Sequence, residues 1–588
     1  MKKLFSLLLA ATLFLLPCTD AAAWHSFRNE TGTSAANTIC AQTPLDTTTT
    51  GPKWRIKLSQ STKAVCNSSP ILTDQHIFIV CEKTLFQLDK DGNIVSTLTL
   101  EASMNSVCQM ALHENRLFIP LGGGMIQCVD IDTMTSLWKS EAFGLQSLTT
   151  VCFYDGYLYA GTTNAAGTDG LYYCLQETDG QTIWTYKNET PCGYYWSGAL
   201  PANLEHSVKC LLFGGDDGTL VSHSLTDDTI YDTFDLSGLT GSAGKIRAGI
   251  TWDPETNAYY TTSNNGYLYQ IKLKADGHFD SVTSVFLGDT PSALVNCTST
   301  PTIYNGRIYV CSYYNTSGMI SVIDAVSMKR IYSATASGFH DIKSSPLVST
   351  GYANEENDQS VYVYFTQNAS PGGIYYIRDH ARAASAELQT LYEPKNNPQF
   401  CMASIVADPD GTLYYSNDSG TFFAIAEGFS QNDILAAPPS ETEKPVSTSN
   451  PDTSPSQTPA TPPTQNPDTL PAQNPDTPAA PAAVTVSPQP QAKNNSARPQ
   501  KPQKIKVKGK LWANGTWKIT LSWKKGKNTK KTLLKIKGKK KRLLSGTKTT
   551  LRLKKGTYTI RLYGYRTAAK KSGAVTLRLK LSKKNYVI

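Results

Sequence analysis

The chain has 588 residues, too many for one ordinary domain, so two or three are expected. Its formal net charge of +9 is unevenly spread: residues 501–588 contain 29 Lys and Arg and no Asp or Glu, which leaves 56 − 29 = 27 basic against 47 acidic residues elsewhere, a balance of −20. A single uniform domain is therefore excluded, and the split describes an acidic body carrying one module that seeks anions.

The first stretch, "MKKLFSLLLAATLFLLPCTDAAAW", has two lysines, an apolar run and a small-residue site, which is the pattern of a secretory signal cut after Ala23. A lipoprotein alternative would use Cys18, although Pro17 departs from the small residue usual before such a cysteine. No later segment is long and apolar enough to cross a bilayer, so the mature chain is expected to be exported and soluble, or held by surface contacts. Without Cys18, 13 − 1 = 12 cysteines remain. There is no CxxC pair and no His/Cys cluster with zinc spacing, so these read as buried small hydrophobes, with a few bridges permitted by export.

Internal repeats dominate residues 53–430. "MIQCVDIDTMTSLW", Met125 to Trp138, recurs as "LYYCLQETDGQTIW" from Leu171 to Trp184 and as "MISVIDAVSMKRIY" from Met319 to Tyr332. Looser copies begin at Leu85, Leu220 and Leu268, and shortened ones at Ile374 and Phe422. Each copy follows a strand–turn–strand pattern such as "CFYDGYLYAG" or "PTIYNGRIYVC". The unit therefore has four strands and is roughly 42 to 56 residues long, and eight units are counted, the signature of a β-propeller. The last unit lacks its outer strand, and "KWRIKL", Lys53 to Leu58, is expected to supply it and close the ring. Trp54 then matches Trp138 and Trp184, which are expected to wedge between neighbouring blades.

After residue 430 the composition changes. Residues 438–502 hold 17 of the 32 prolines and no aromatic residue, so residues 431–503 read as an extended, disordered Pro-rich linker. From 504 to 588, apolar residues alternate with Lys, Arg or Thr in stretches such as "KIKVKGKLWA" and "TWKITLSWKK". This predicts a small basic β-sandwich with one buried and one cationic face. The expected architecture is all-β: signal peptide 1–23, lead-in 24–52, eight-bladed β-propeller 53–430, linker 431–503 and basic C-terminal β-sandwich 504–588.

The motif "VDIDTMTSLW" resembles the PQQ-like repeat of quinoprotein dehydrogenases and of non-enzymatic propellers. The stretches "WHSFRNE" at Trp24, "YYWSGAL" at Tyr194 and "GTLYYSNDSGTFFAIAEG" at Gly411 make the chain similar to exported PQQ-like propeller proteins of Gram-positive bacteria. The C-terminal "KKGTYTIRLYGYRTAAKKSG" resembles a fibronectin type III module, with Tyr558 at the tyrosine-corner position. Quinoprotein enzymes of this type carry two adjacent cysteines beside the quinone, and this sequence has no Cys-Cys dipeptide. Nor does it show a carboxylate pair suited to a calcium ion and a catalytic base. No resident cofactor or metal is expected.

The inner strands, aligned on their turns, give one column of Asn67, Trp196, Arg247, Thr298, Lys343 and Met402. A tryptophan and two cations at equivalent channel-lining positions make Trp196, Arg247, Lys343 and Asn67 a candidate aromatic, anion-accepting ligand site. The competing expectation is that these cations pair with local carboxylates. A second column, Cys66, Cys297 and Cys401, brings Cys401 towards Cys66. "DKDGN" from Asp89 imitates part of a calcium loop, but Gly92 is misplaced and no acidic residue falls at the twelfth position, so a hairpin turn is expected. In the basic module, Lys524, Lys525, Lys539, Lys540, Lys541 and Arg542 are candidate polyanion contacts. Export favours anionic cell-wall polymer or envelope surface over nucleic acid. Trp512, Trp517 and Trp523 divide between core and surface and do not form a stacking motif.

The sequence thus predicts a secreted, cell-surface-associated, non-enzymatic propeller that binds or scaffolds a protein or small-molecule partner, with a basic anchoring module. The alternatives are a PQQ-dependent dehydrogenase and a lipoprotein assembly scaffold.

Overall fold

The computed structural model describes residues 38–430 and 502–587, apart from a few residues within each stretch. The predicted signal, Cys18 and nearly all of the Pro-rich linker lie outside the described residues. The chain divides into two compact units, residues 1–445 and 446–588. Among the described residues the fold is β throughout except for one short helix, Ser237–Thr240.

The larger unit contains eight sheets of four or five strands. In the second sheet, Ala111–His113, Arg116–Leu121, Met125–Asp130 and Thr135–Lys139 follow one another as an antiparallel meander. "MIQCVDIDTMTSLW" is therefore the outer hairpin of one sheet. Register confirms the repeat alignment: Trp138 lies opposite Cys128, Trp184 opposite Cys174 and Tyr332 opposite Val322, each beside a register shift.

The closing strand is present and longer than predicted. Thr50–Lys57 pairs antiparallel with Thr421–Glu427, which sets Trp54 opposite Ala424 and makes this strand the outermost of the eighth sheet. The lead-in takes part as well. Thr38–Ile39 pairs in parallel with Leu347–Ser349 at the edge of the seventh sheet, a contact the sequence pattern did not signal.

Tryptophans join neighbouring sheets. The Trp54 Nε1–H donates to the Lys90 carbonyl at 2.9 Å, and that of Trp138 to the Glu177 carbonyl at 3.1 Å. Each ring lies under the next sheet's outer hairpin, where only glycine leaves room. A Cβ on Gly92 (φ +86) or on Gly180 (φ +70) would lie 2.5 Å from the Trp54 or the Trp138 ring. "DKDGN" is accordingly a hairpin turn, with the Asp89 carboxylate accepting from the Asp91 and Asn93 amides.

A second set of joints runs just ahead of the inner strands. The Gly249 amide donates to Thr300 Oγ1 (2.8 Å), the Thr300 amide to Ser345 Oγ (3.1 Å) and the Ser345 amide to Ser404 Oγ (2.9 Å). Ser69 Oγ then donates to the Ser404 carbonyl (2.9 Å), and the Ser69 amide to Gln109 Oε1 (2.9 Å). This chain crosses from the fifth sheet through the eighth and on into the first and second. Closure therefore rests on these buried hydrogen bonds as well as on the N-terminal strand.

In the smaller unit, Gln503–Leu511, Trp517–Lys524 and Lys548–Leu553 form a three-stranded sheet, and a five-stranded sheet begins at the edge strand Lys539–Leu544. One buried cluster draws on both sheets, with Ile519, Leu521 and Trp523 from the first and Leu534, Ile560 and Leu579 from the second.

Candidate ligand site beside the inner strands

The predicted column is one structural position. Trp196, Arg247, Thr298, Lys343 and Met402 stand at the same offset ahead of Leu200–Asn203, Thr251–Asp253, Thr302–Tyr304, Leu347–Ser349 and Val406–Ala407. Four of them are half-buried between two buried neighbours: Ile246 and Ala248 flank Arg247, Cys297 and Ser299 flank Thr298, Ile342 and Ser344 flank Lys343, and Cys401 and Ala403 flank Met402. Alternation along an extended segment puts every second residue on the same side, here the accessible one. Asn67 lies outside the described residues.

Three of the predicted side chains come together. Lys343 Nζ lies 5.7 Å from the centroid of the Trp196 ring, and Trp196 packs on Tyr195 with centroids 4.9 Å apart. The Arg247 guanidinium lies 4.2 Å over the Tyr195 ring. Two aromatic rings are therefore flanked by two cations drawn from the fifth and seventh sheets. Tyr195 was not singled out from the sequence, although it precedes Trp196 in "YYWSGAL".

The cations are not free. Arg247 holds Asp216 through two contacts, Nε–Oδ1 at 2.9 Å and Nη2–Oδ2 at 2.6 Å. Lys245 reaches the same carboxylate at 3.3 Å, and Asp216's side chain is fully buried. Lys343 lies 3.4 Å from Asp341. Burial holds the Asp341 carboxyl above its usual range, against the pull of Lys343. Asp216 lies in the turn between Lys209–Gly214 and Thr219–Ser224, and no repeat pattern points from there to the column.

Trp196 itself is conformationally unusual. Its φ is +66, a region that bulky L-residues rarely occupy, and its buried Nε1–H has no acceptor among the described residues. The ring packs against the cluster of Met104, Cys108 and Met110.

The cysteine column is structural. Cys66, Cys81 and Cys401 share one buried cluster, the Cys401 thiol donates to the Ser416 carbonyl at 3.0 Å, and the Ser416 hydroxyl donates to the Cys66 carbonyl. Burial pushes the Cys297 and Cys401 thiols up to about 12. Among the described residues no group of three or more His, Cys, Asp or Glu is placed to hold a metal ion.

The predicted polyanion patch is split. Lys524 is exposed at the end of the central strand of the three-stranded sheet and Lys525 is half-buried just beyond it, whereas Lys539, Lys540, Lys541 and Arg542 lie on the edge strand of the five-stranded sheet. Trp523 belongs to the core, where its Nε1–H donates to Thr532 Oγ1 at 2.9 Å.

No protein-family model matches the chain, and no curated protein matches it. Solved structures do share its architecture. A quinohemoprotein alcohol dehydrogenase from Pseudomonas putida HK5 is 12% identical with a TM-score of 0.51, over 73% of this chain and 84% of that one. Another, from Comamonas testosteroni, is 10% identical with a TM-score of 0.52, over 71% and 82%. A europium-containing methanol dehydrogenase is 10% identical with a TM-score of 0.50, over 67% and 89%. The larger unit is a β-propeller of the quinoprotein-dehydrogenase-like fold. At such identities the likeness carries the fold and none of the chemistry.

Proposed function

We propose that this chain is an exported, envelope-associated binding protein. In this reading an eight-bladed propeller receives a partner or ligand at the Trp196 position of its channel, and a basic fibronectin type III-like sandwich attaches the chain to anionic envelope polymer. The observation that carries the binding role is Trp196: a half-buried aromatic ring held at positive φ, with cations beside its aromatic pair and an indole N–H with no acceptor among the described residues. Strain and unspent hydrogen-bonding capacity concentrate where a fold serves something other than its own stability.

Eight sheets joined from the eighth back to the first support the blade count. The sandwich reading is supported by two sheets sharing one core, with strands one, two and five on one sheet and the rest on the other.

The group that the neighbouring folds bring to mind is a quinone with its divalent ion, and the donor set here does not suit it. The chain has no adjacent cysteine pair, and the two carboxylates beside the column, Asp216 and Asp341, are engaged by Arg247, Lys245 and Lys343. A calcium ion needs several free oxygen ligands.

Reconstitution tests this. The purified full chain is mixed with PQQ and calcium, desalted, and assayed for quinone absorbance and dye-linked alcohol oxidation. The expected result is neither. Stoichiometric quinone retention with turnover would replace the binding-protein reading by a dehydrogenase.

A further inference from the structure

The anionic partner of the C-terminal unit has a definable seat. The three-stranded sheet has the order Gln503–Leu511, Trp517–Lys524, Lys548–Leu553, so Trp517–Lys524 is its central strand. Along that strand Ile519, Leu521 and Trp523 are buried, Thr520 and Ser522 are half-buried, and Lys518 and Lys524 are exposed. On one flank Ile505 and Val507 pack towards the core, which leaves Lys506 and Lys508 exposed. On the other flank Thr549, Leu551 and Leu553 are buried and Lys548 is exposed.

Register turns this alternation into a trough. Ser522 pairs with Lys506 on one side and Lys548 on the other, and Thr520 pairs with Lys508. Short hydroxyl side chains therefore form the floor, lysines of the two flanking strands form the rims, and Lys518 and Lys524 mark the two ends. The flanking backbones stand about 10 Å apart, and same-face neighbours along a strand repeat every ~7 Å. At Ser522 an oxyanion meets a hydroxyl donor from below and ammonium groups from both sides, and residues 501–588 contain no acidic residue to compete.

We infer that this outer face, rather than the lysine-rich edge strand Lys539–Leu544, binds a single extended phosphodiester polymer of the envelope. The inference rests on the polyanion reading above. The spacing of the rims suits one extended chain lying along the strands. Among the described outward residues of the three strands there is no aromatic on which a base could stack, and Trp523 is spent in the core. A Lys-rich edge strand is more economically explained as protection against edge-to-edge pairing.

The test uses the full chain in two charge-matched variants, K506Q/K508Q/K518Q/K548Q and K539Q/K540Q/K541Q/R542Q, with circular dichroism as the folding check. Binding to poly(glycerol phosphate) is followed against NaCl concentration. The face variant should lose about tenfold or more in affinity, with the log–log salt slope falling by about 3, since each lost contact removes ~0.7 on a single-stranded polyanion. The edge variant should stay within about threefold of wild type. As a measurement independent of variants, the bound polymer should protect Lys506, Lys508 and Lys548 of the wild-type chain from acylation more than Lys539–Lys541. Equal losses in both variants, or equal protection, overturn the trough while leaving the polyanion reading intact. No binding by wild type overturns that reading itself. Tighter binding to single-stranded oligonucleotide at equal phosphate overturns the assigned occupant.

Discussion

Replacing Asp379 by Asn should be among the most damaging isosteric changes in the propeller. Asp379 ends the strand Ile374–Asp379 of the seventh sheet, and its side chain is fully buried. Its carboxylate accepts from Arg307 Nε at 2.7 Å and Nη2 at 3.0 Å, and from the hydroxyls of Tyr309 at 2.8 Å and Tyr332 at 2.7 Å. All three donors belong to the sixth sheet, so one carboxylate fastens two sheets. Arg307, only 9% exposed, also donates to the carbonyls of Ala381 and Ala383. In Asp379→Asn the shape survives, but one acceptor becomes a donor facing donors and the guanidinium loses its counter-charge. Removing one member of a buried ion pair costs about 3–5 kcal/mol. With a urea m-value of about 3 kcal/mol/M, the midpoint should fall by roughly 1 to 1.7 M. The double variant Arg307→Met/Asp379→Leu should recover only part of that loss, because it removes both charges but leaves the buried Tyr309 and Tyr332 hydroxyls without their acceptor. A drop below about 0.3 M in the single variant would refute the reasoning, since it would mean that water reaches the pair.

Two further outcomes follow from burial. His223 has no exposed side-chain surface, packs on Trp184 with ring centroids 4.1 Å apart and is held below its ordinary pKa by burial, while the Ser224 backbone, Asp228 and Asp227 pull the other way. The folded state therefore resists protonation that the unfolded chain accepts: stability present above about pH 6.5 should be lost as pH falls, and His223→Phe should flatten that part of a urea-midpoint profile. A profile unchanged by the substitution would count against this assignment. The eleven free cysteines described are all buried, and burial pushes Cys128, Cys192, Cys297 and Cys401 up to about 12. Ellman's reagent should react with none of the eleven in native protein and with all of them in guanidinium, whereas fast native reaction at any of them would show that its cluster opens.

The architecture was legible because the repeat is written in residues whose backbone demands are strict. Trp54, Trp138 and Trp184, and the glycines at 92 and 180 that admit two of those rings, fix strand, turn and neighbour together. The column of inner positions was legible for the same reason, since "CTSTP" and "IKSSP" align without gaps. What stayed hidden was pairing between repeats. Asp216 and Asp379 sit in hairpin and strand-end positions that look like any other solvated aspartate, and only the closed ring brings them to Arg247 and Arg307. Thr38–Ile39 was equally silent, because two residues carry no periodicity. In the basic module, charge alone drew attention to the densest lysine run, whereas the trough depends on which lysines share a face, and that is set by register.

The strain at Trp196 is not imposed by the scaffold. Arg247, Thr298, Lys343 and Met402 hold the equivalent position in other sheets, and among these residues Trp196 alone has a positive φ. The joint between sheets is made two residues further on, by Thr300, Ser345 and Ser404, and does not need a particular side chain in the column. The local cost is then about 1–2 kcal/mol for the backbone and about 1–3 kcal/mol for the orphaned indole N–H. Against it stand one aromatic pair and one cation over the ring, each about 0.5–1.5 kcal/mol. Packing of the ring on Met104, Cys108 and Met110 adds to that side, whereas a glycine at this position would carry neither the two costs nor that packing. In the proposed reading, a ligand accepts the indole proton and covers the ring.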